Sequence, residues 1–270
     1  MKSSIRTPAV AGRFYPENED FLRLTVNELQ PQATPDKKKV FAAVSPHAGY
    51  VYSGEVAAET IAQIKVPETV ILLGPNHTGK GVPVALSTAT WEMAMGNVPV
   101  DQEIAQALLA ETTYIEEDEL AHRYEHSLEV QIPFLQMQQP DLSIVPITIS
   151  HVSYQVLKEI GRSIANVIKR SDKEILILAS SDMTHYEPRA DAEKKDHYVL
   201  QKLAGMDPKA LYSFVTDHRI SMCGILPVTV ALISSIALGA THAELVRYTD
   251  SGAATGDTEQ VVGYAGVLIT

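Results

Sequence analysis

Four short runs of the chain are apolar almost throughout, without the alternation of polar and apolar residues that a half-exposed strand shows. Each run is rich in leucine or in β-branched residues, a composition typical of strands that are covered on both faces of a sheet. We therefore predict buried strands at residues 40–45, 69–74, 142–149 and 174–180.

Longer amphipathic segments separate these runs and carry apolar residues at helical spacing. They predict helices at residues 54–64, 101–111, 125–138 and 153–169. Ser53 precedes the first of them and is the expected N-cap, because a serine hydroxyl can accept a hydrogen bond from the first helical turn. Strands that alternate with helices predict an α/β fold with a central, mixed but largely parallel sheet flanked by helices.

Three further segments extend this pattern. Residues 81–88 and 90–100 predict an inserted pair of strands, with Gly96-Asn97 as a possible turn. Residues 190–238 predict a series of helices, and the segments "AELVRYTDSG" and "VVGYAGVLIT" predict two C-terminal strands. Because no long proline-rich linker, internal repeat or low-complexity tract interrupts the chain, we predict a single domain over residues 1–270.

Composition and charge narrow the possible partners and the compartment. The 270 residues include 22 Lys plus Arg against 33 Asp plus Glu, for a net charge of −11. Such an acidic chain is a poor partner for nucleic acid or an anionic membrane, and its one basic run, "DKKK" from Asp36, is expected to be a solvated linker.

The N-terminal segment has no apolar core of signal-peptide length, and the apolar segment at residues 225–240 is too short to span a membrane. Cys223 is the only cysteine and cannot form an internal disulfide. These features predict a cytoplasmic protein.

Histidines follow three of the predicted strands. His47 follows the first strand, His77 follows the second, and the pair Asp182 and His185 follows the fourth. Because the carboxyl ends of parallel strands meet at one edge of a sheet, these side chains are expected to gather there, where they suit iron, zinc or copper. A single histidine after a strand is more often a structural hydrogen-bonding residue, but the repetition at three strands favours a shared polar site.

Two more residues are candidates for the same site, each with an ordinary structural alternative. Cys223 precedes the long apolar helix, where a thiol can serve as ligand or nucleophile, or can be only a small buried apolar side chain. On a predicted helix, His126 and Glu129 share one face at i and i+3. That pair can support proton transfer or a metal ligand, or it can be an exposed intrahelical contact.

The segment "GPNHTGKG", from Gly74 to Gly81, nearly spells a phosphate-binding loop. Gly81 stands where such a loop needs Ser or Thr for magnesium, and Pro75 lacks a backbone N–H that would cradle phosphate. A predicted strand follows it instead of the required helix, so nucleotide binding is not expected.

Several blocks together resemble the Memo family. They are "SPHAGYVYSG", "GPNHTG", "EHSLEVQIPFLQ", "SSDMTHY" and "MCGILPV", in that order, between the end segments "RTPAVAGRFYPE" and "GYAGVLI". The resemblance covers essentially the whole chain and is strongest to the prokaryotic branch, often named AmmeMemoRadiSam system protein B. It implies a functional association with radical-SAM and AMMECR-type proteins.

The fold of that family resembles the class III extradiol dioxygenases, which are non-haem iron enzymes that open catechol rings. The resemblance implies that His47 and His77 are metal ligands and that Cys223 replaces a carboxylate ligand. It places Asp182 and His185 in the same pocket, with His185 at the position of an acid/base residue.

The resemblance also makes His126 a residue that lines or supports the cleft. Because a thiolate in place of a carboxylate favours copper, zinc or thiolate-ligated iron and can be oxidised, dioxygenase activity does not follow from the fold.

Three functions remain open at this stage. The first is a mononuclear iron or copper site, with zinc possible, in an oxidoreductase or metal-handling role. The second is a non-catalytic cleft that binds a peptide or a protein. The third is a metal-independent hydrolase with Cys223 as nucleophile beside His185 and Asp182. The small molecule or peptide is unknown, and Tyr50, Tyr52 and Tyr186 either line a pocket for a planar molecule or pack structurally.

Overall fold

The structure is a computed structural model that describes residues 4–33 and 36–270. Two short segments lie outside the described residues. They are residues 1–3, in the N-terminal segment for which no signal peptide is predicted, and residues 34–35, which precede the basic run. The strands are β1 (Ile5–Arg6), β2 (Ala42–Ser45), β3 (Thr69–Pro75), β4 (Val84–Leu86), β5 (Thr90–Trp91), β6 (Glu116–Glu117), β7 (Ser143–Ile149), β8 (Ile175–Ser180), β9 (His185–Glu187), β10 (Ala243–Asp250) and β11 (Val261–Ile269).

The helices surround these strands, and a short 3₁₀ turn at Glu129–Gln131 precedes one of them. They are α1 (Glu19–Glu28), α2 (Tyr50–Ala62), α3 (Gln102–Glu111), α4 (Ile132–Gln138), α5 (Tyr154–Arg170), α6 (Arg189–Ala204), α7 (Pro208–Asp217), α8 (Ile225–Leu238) and α9 (Gly252–Thr255).

The strands of the main sheet lie in the order β10-β11-β2-β8-β3-β7-β4-β6, and β9 pairs with β11. The four central strands, β2, β8, β3 and β7, are mutually parallel. Antiparallel pairing joins β11 to β2, β10 to β11, and β4 to β7. The predicted α/β fold with a mixed, largely parallel sheet is therefore confirmed, and each of the four predicted strands is present.

The core lies between the sheet and its helices. α8 contacts β2, β3, β7 and β8 and is covered in turn by α5. Because α8 is packed on both sides, it is apolar over most of its surface, as expected of a buried helix. Among the described residues, no helix is both long enough and apolar enough to cross a membrane.

Two helices contact β11 from opposite faces, and this arrangement matters for the site. A Cβ on Gly266 would collide with Thr60 of α2, whereas one on Gly263 would collide with Asp196 of α6. Positions an odd number of residues apart on a strand face opposite sides of the sheet. α2 therefore covers one face of this end of β11 and α6 the other.

Some predicted boundaries were wrong. The helix predicted at 125–138 begins later, because the Glu125 carboxylate accepts hydrogen bonds from the backbone N–H groups of His126 and Ser127 and holds a turn. α2 begins after Gly49, ahead of the predicted N-cap Ser53, whose hydroxyl donates to the carbonyl of Ala48 instead.

The predicted strand pair at 81–88 and 90–100 also forms differently. β4 pairs with β6 and β7, and β5 pairs with β1. A single bridge joins Trp91 to Val98 around a turn in which Gly96 has φ +112°. The strand tendency was therefore correct, but the partners are distant in sequence. The helices predicted within 190–238 and the two C-terminal strands are present as α6, α7, α8, β10 and β11.

Candidate metal centre

The carboxyl ends of three central strands bring the candidate residues together. His47, His77 and Asp182 each stand two residues beyond the last residue of β2, β3 and β8 respectively. The ring centroids of His47 and His77 are 5.2 Å apart, and His126 lies 5.5 Å from His47 and 4.8 Å from His77. The potential ligand atoms of these three histidines all lie within 4.8 Å of one another.

The tautomer of His47 follows from its hydrogen bonds. Ser180 Oγ donates its hydrogen to the carbonyl of Ser127 at 2.7 Å. In its 2.8 Å contact with His47 Nδ1 the same oxygen therefore accepts, so Nδ1 carries the hydrogen. The Nε2 atom of His47 keeps a lone pair. Burial, and then the neighbouring His77, hold the pKa of His47 well below its usual value, so the ring is neutral and able to bind a metal.

The carboxylate of Glu125 orients His77 in the same way. Glu125 accepts hydrogen bonds from His77 Nδ1 at 2.9 Å and from the backbone N–H of His77 at 2.6 Å. It also accepts from the backbone N–H groups of His126 and Ser127. A carboxylate that holds the Nδ1–H of a histidine leaves Nε2 for a metal ion, which is the usual support of histidine ligands.

Burial alone would raise the pKa of Glu125, but the hydrogen bond from His77 and the backbone donors outweigh it and lower the pKa to about 2. Burial likewise favours neutral His77, yet the hydrogen bond to Glu125 raises the pKa of that ring. Glu125 is therefore a fixed negative charge beneath the histidines.

His126 contacts both Glu125 and an aromatic ring. Its Nδ1 atom lies 3.5 Å from Glu125 Oε1, and its ring centroid lies 4.8 Å from that of Phe14. The predicted helical pairing with Glu129 was wrong, because His126 precedes the helix in the Glu125 turn. Glu129 instead forms a buried ion pair with Arg6, and it accepts hydrogen bonds from the Tyr15 hydroxyl and from the backbone N–H groups of residues 9 and 10.

Cys223 lies on the other side of His47. Its sulfur atom is 3.2 Å from His47 Nε2 and accepts a hydrogen bond from the backbone N–H of Asp182 at 3.3 Å. Burial, and then the carboxylate of Asp182, raise the pKa of the thiol. Cys223 thus contacts one of the three clustered histidines, whereas His126 belongs to the cluster itself.

Asp182 is a second buried carboxylate of the cleft. It accepts a hydrogen bond from the backbone N–H of His47 at 2.7 Å. Burial raises its pKa to about 6, against the lowering effect of that hydrogen bond and of nearby His185. Asp182 therefore titrates near neutral pH.

His185 stands at the rim and is only partly buried. Its Nδ1 donates to the carbonyl of Met183 at 2.7 Å, which leaves Nε2 as an acceptor. The loop before it is held by Asp196, which accepts from the backbone N–H and the hydroxyl of Thr184. Tyr186, next in sequence, has φ 57° and is 74% exposed. A tyrosine in this left-handed conformation is uncommon and is often found beside functional sites.

Three supporting residues were missed in the sequence: Glu125, Ser180 and Asp196. Glu125 adjoins a candidate histidine in "EHSLE", and Ser180 belongs to the "SSDMTHY" block, so both could have been marked as supports. Asp196 lies in the middle of α6 without any such signal.

Comparison with known proteins identifies the family of the chain. A family model described as Memo-like protein matches residues 6–268. The chain belongs to the Memo family.

Relatives in this family are similar over nearly their full length. A MEMO1 family protein of Methanosarcina barkeri is 41% identical over 98% of this chain and 100% of its own. One from Aquifex aeolicus is 42% identical, with 98% of each chain covered.

Among solved structures, the uncharacterized protein JW3007 from Escherichia coli K12 aligns with a TM-score of 0.59 and 14% identity. The alignment covers 85% of this chain and 100% of that one. At this identity the likeness concerns the fold alone.

Proposed function

We propose that this Memo protein binds one transition-metal ion, iron or copper with zinc possible, in the cleft beyond β2, β3 and β8. His47 and His77 provide two of its ligands. Cys223 provides the third, and His126 is the alternative to Cys223. The observation that carries the proposal is the clustering of three imidazoles, whose potential ligand atoms lie within 4.8 Å of one another. In His47 and His77 the Nδ1 atom is held by Ser180 and Glu125, and the Nε2 atom of His47 contacts the Cys223 sulfur.

The donor set fits such an ion. Neutral imidazole nitrogens and a thiolate are the ligands preferred by copper, zinc and thiolate-bound iron. Although burial keeps the thiol of Cys223 protonated, a bound cation would deprotonate it outright. His47 Nε2 and this sulfur atom, which would both help to hold the ion, lie 3.2 Å apart.

When bound, the ion would supply a redox-active or Lewis-acidic centre. The other residues then have separate roles. Asp182, with its pKa near neutral, suits proton transfer. His185, with Nε2 free at the rim, is the second acid/base group. This assignment supports an oxidoreductase-like or metal-handling role, and the substrate is a small molecule or a peptide.

The hydrolase alternative is weaker on physical grounds. A nucleophilic thiol needs a lowered pKa, and burial raises that of Cys223. Its sulfur also contacts His47, whose other nitrogen is bonded to the Ser180 hydroxyl, where a triad would require a carboxylate.

Metal content per chain tests the proposal on protein purified without oxygen, for wild type, Cys223→Ser and His126→Gln. We expect about one iron or copper per wild-type chain and a sharp loss in Cys223→Ser. Loss in His126→Gln but not in Cys223→Ser would assign the third ligand to His126. Tyr114→Phe, a change at an exposed tyrosine outside the histidine cluster, is the control and should retain the metal.

Absence of metal from the wild type, even after anaerobic reconstitution with iron, copper and zinc, would contradict the proposal. The cleft would then be a binding site for a peptide or partner protein. Radical-SAM and AMMECR-type proteins, with which the family resemblance implies an association, would be the first candidates for such a partner.

A further inference from the structure

An open cavity of about 460 Å³ lies in the outer helical layer, where α5 and α8 meet the start of α7. The residues that line this α5–α8 cavity are Tyr154, Lys158 and Arg162 of α5, Met206, Asp207 and Pro208 at the turn into α7, and Ile233, Ile236 and Ala237 of α8. Cys223 precedes the first turn of α8, whereas Ile236 lies near the other end of that helix. At 1.5 Å per residue the two are roughly 20 Å apart, so the cavity is separate from the histidine cleft.

The apolar part of the cavity exists because α5 and α8 approach each other closely. A Cβ on Gly161 of α5 would lie 2.7 Å from a methyl group of Ile233, so a larger residue would push the two helices apart. Ile236, three residues further along α8, is 37% exposed. Aliphatic side chains that remain open to water in a cavity are favourably covered by an apolar ligand.

The polar part of the cavity carries positive charge that is only weakly compensated. Lys158 and Arg162 are four residues apart on α5 and therefore share a face. Lys158 forms no hydrogen bond or ion pair with any other described residue. Arg162 makes one ion-pair contact, at 3.8 Å, with Glu159 on its own helix. Both positive groups are therefore available to an anion in the cavity.

The carboxylate in the lining, that of Asp207, is already engaged. It is the N-cap of α7 and accepts hydrogen bonds from the backbone N–H groups of Lys209 and Ala210 at 3.0 and 2.9 Å. The ammonium group of Lys209 lies 4.5 Å from the centre of the Tyr154 ring, which lines the cavity, and adds a third positive charge. In a chain of net charge −11, this surface is locally positive.

We propose that the α5–α8 cavity binds a small aliphatic carboxylate, with its chain against Ile233 and Ile236 and its carboxylate beside Lys158 and Arg162. The inference goes beyond the proposed function, because it concerns a second site that shares no residue with the histidine cleft.

The charges and the lining select this class of ligand. Three positive side chains, those of Lys158, Arg162 and Lys209, stand against two carboxylates, those of Asp207 and Glu159. The excess of one positive charge matches a monoanion. A carboxylate can accept hydrogen bonds from an ammonium and a guanidinium group together. The isoleucines offer aliphatic surface, so the body of the ligand is expected to be an aliphatic chain.

Three probes with the same chain separate the contribution of charge from that of apolar contact. They are octanoate, 1-octanol and octyltrimethylammonium, each titrated up to about 3 mM. Binding is followed by NMR of the methyl groups of Met206, Ile233 and Ile236. We expect octanoate to bind most tightly and the cation least, with the three methyl signals shifting together. Acetate, which lacks the chain, is the control and should not bind.

Two variants test the two halves of the site. Lys158→Gln combined with Arg162→Gln should weaken octanoate binding by about fivefold and leave 1-octanol unchanged. Ile236→Ser should weaken both probes by about threefold, because it removes apolar contact but no charge. Lys65→Gln, a change at an exposed lysine after α2, is the control and should alter neither. If the double variant does not fold, its two single variants replace it.

The inference would be overturned by any of three results. These are no methyl shift with octanoate, equal affinity for the anion and the cation, and octanoate affinity that is unchanged in the double variant. Metal content measured on the same preparations keeps the two proposals apart. Octanoate binding in a protein that never holds metal would retain this inference and reject the metal site, and full metal occupancy without octanoate binding would do the reverse.

Discussion

Glu125 and Asp182 are both buried carboxylates beside the histidine cluster, yet their pKa values are displaced in opposite directions. Glu125 accepts hydrogen bonds from the imidazole of His77 and from three backbone N–H groups, and its pKa is lowered to about 2. Among the described residues, no side chain donates a hydrogen bond to Asp182, and burial raises its pKa to about 6. Both carboxylates are buried, but their pKa values shift in opposite directions because more hydrogen-bond donors surround Glu125 than Asp182.

This difference assigns the two residues different roles. A carboxylate that stays ionised at all ordinary pH values is a structural anchor, and here it orients His77. A carboxylate that titrates near neutral pH can exchange a proton with a ligand. Pairs of acidic groups separated in this way are typical of sites that carry out acid–base chemistry.

The largest expected effect is the loss of the Glu125 charge. With a folded pKa of about 2 against the usual 4.5, ionised Glu125 stabilises the protein by about 3 kcal/mol near pH 7. Glu125→Gln should therefore lower the free energy of unfolding of metal-free protein by about that amount, as measured by urea denaturation. The exposed Glu92→Gln is the control and should change little. A loss below about 1 kcal/mol would contradict the anchoring role.

Asp182→Asn should act in the opposite direction. In the wild type, the pKa of Asp182 in the folded protein is about 6, above the usual 3.8. The ionised carboxylate therefore destabilises the fold near pH 7. The asparagine oxygen can still accept from the N–H of His47 and carries no charge. We expect the variant to be more stable than wild type by about 3 kcal/mol in the same urea experiment. A destabilised Asp182→Asn protein would show that the charge is structurally required.

Stability should also depend on pH differently for the two carboxylates. The contribution of Glu125 is present above about pH 4.5 and is lost as pH falls toward 2, because its folded pKa is lowered. The folded pKa of Asp182 is raised, so its favourable contribution is present below about pH 4 and is lost as pH rises through 6.

Between pH 5 and 7 the free energy of unfolding should therefore depend on pH differently in the two variants. Wild-type protein should lose about 1 kcal/mol of stability from Asp182 over this range, and Asp182→Asn should remove that loss. Glu125→Gln should keep it. Urea denaturation at several pH values, on metal-free protein, measures both slopes. Equal slopes in the wild type and Asp182→Asn would mean that Asp182 does not titrate in this range.

The sequence predicted Asp182 as a site residue but not Glu125. Asp182 was found because it follows a central strand, and the ends of parallel strands meet at one edge. Glu125 was missed because its role depends on His77, which is distant in sequence. The same turn also defeated the helix prediction, since the Glu125 side chain bonds its neighbours' backbone and delays the helix.

A similar reason limits the prediction of the fold. Central strands such as β3 and β8 are apolar on both faces, so their composition alone identifies them. The partners of β4 and β5 are set by contacts with β7 and β1, which no local pattern encodes.

The smallest expected effect concerns the environment of Asp182 alone. His185 lowers the pKa of Asp182, although less than burial raises it. His185→Gln should therefore move the pKa of Asp182 further upward, with a change in stability below about 0.5 kcal/mol because His185 lies at the partly exposed rim. Carbon-13 NMR titration of the Asp182 carboxyl measures the shift, with His197→Gln on the outer surface of α6 as control. If the pKa of Asp182 does not rise, the two groups are not coupled, and His185 and Asp182 cannot act as one proton-transfer pair.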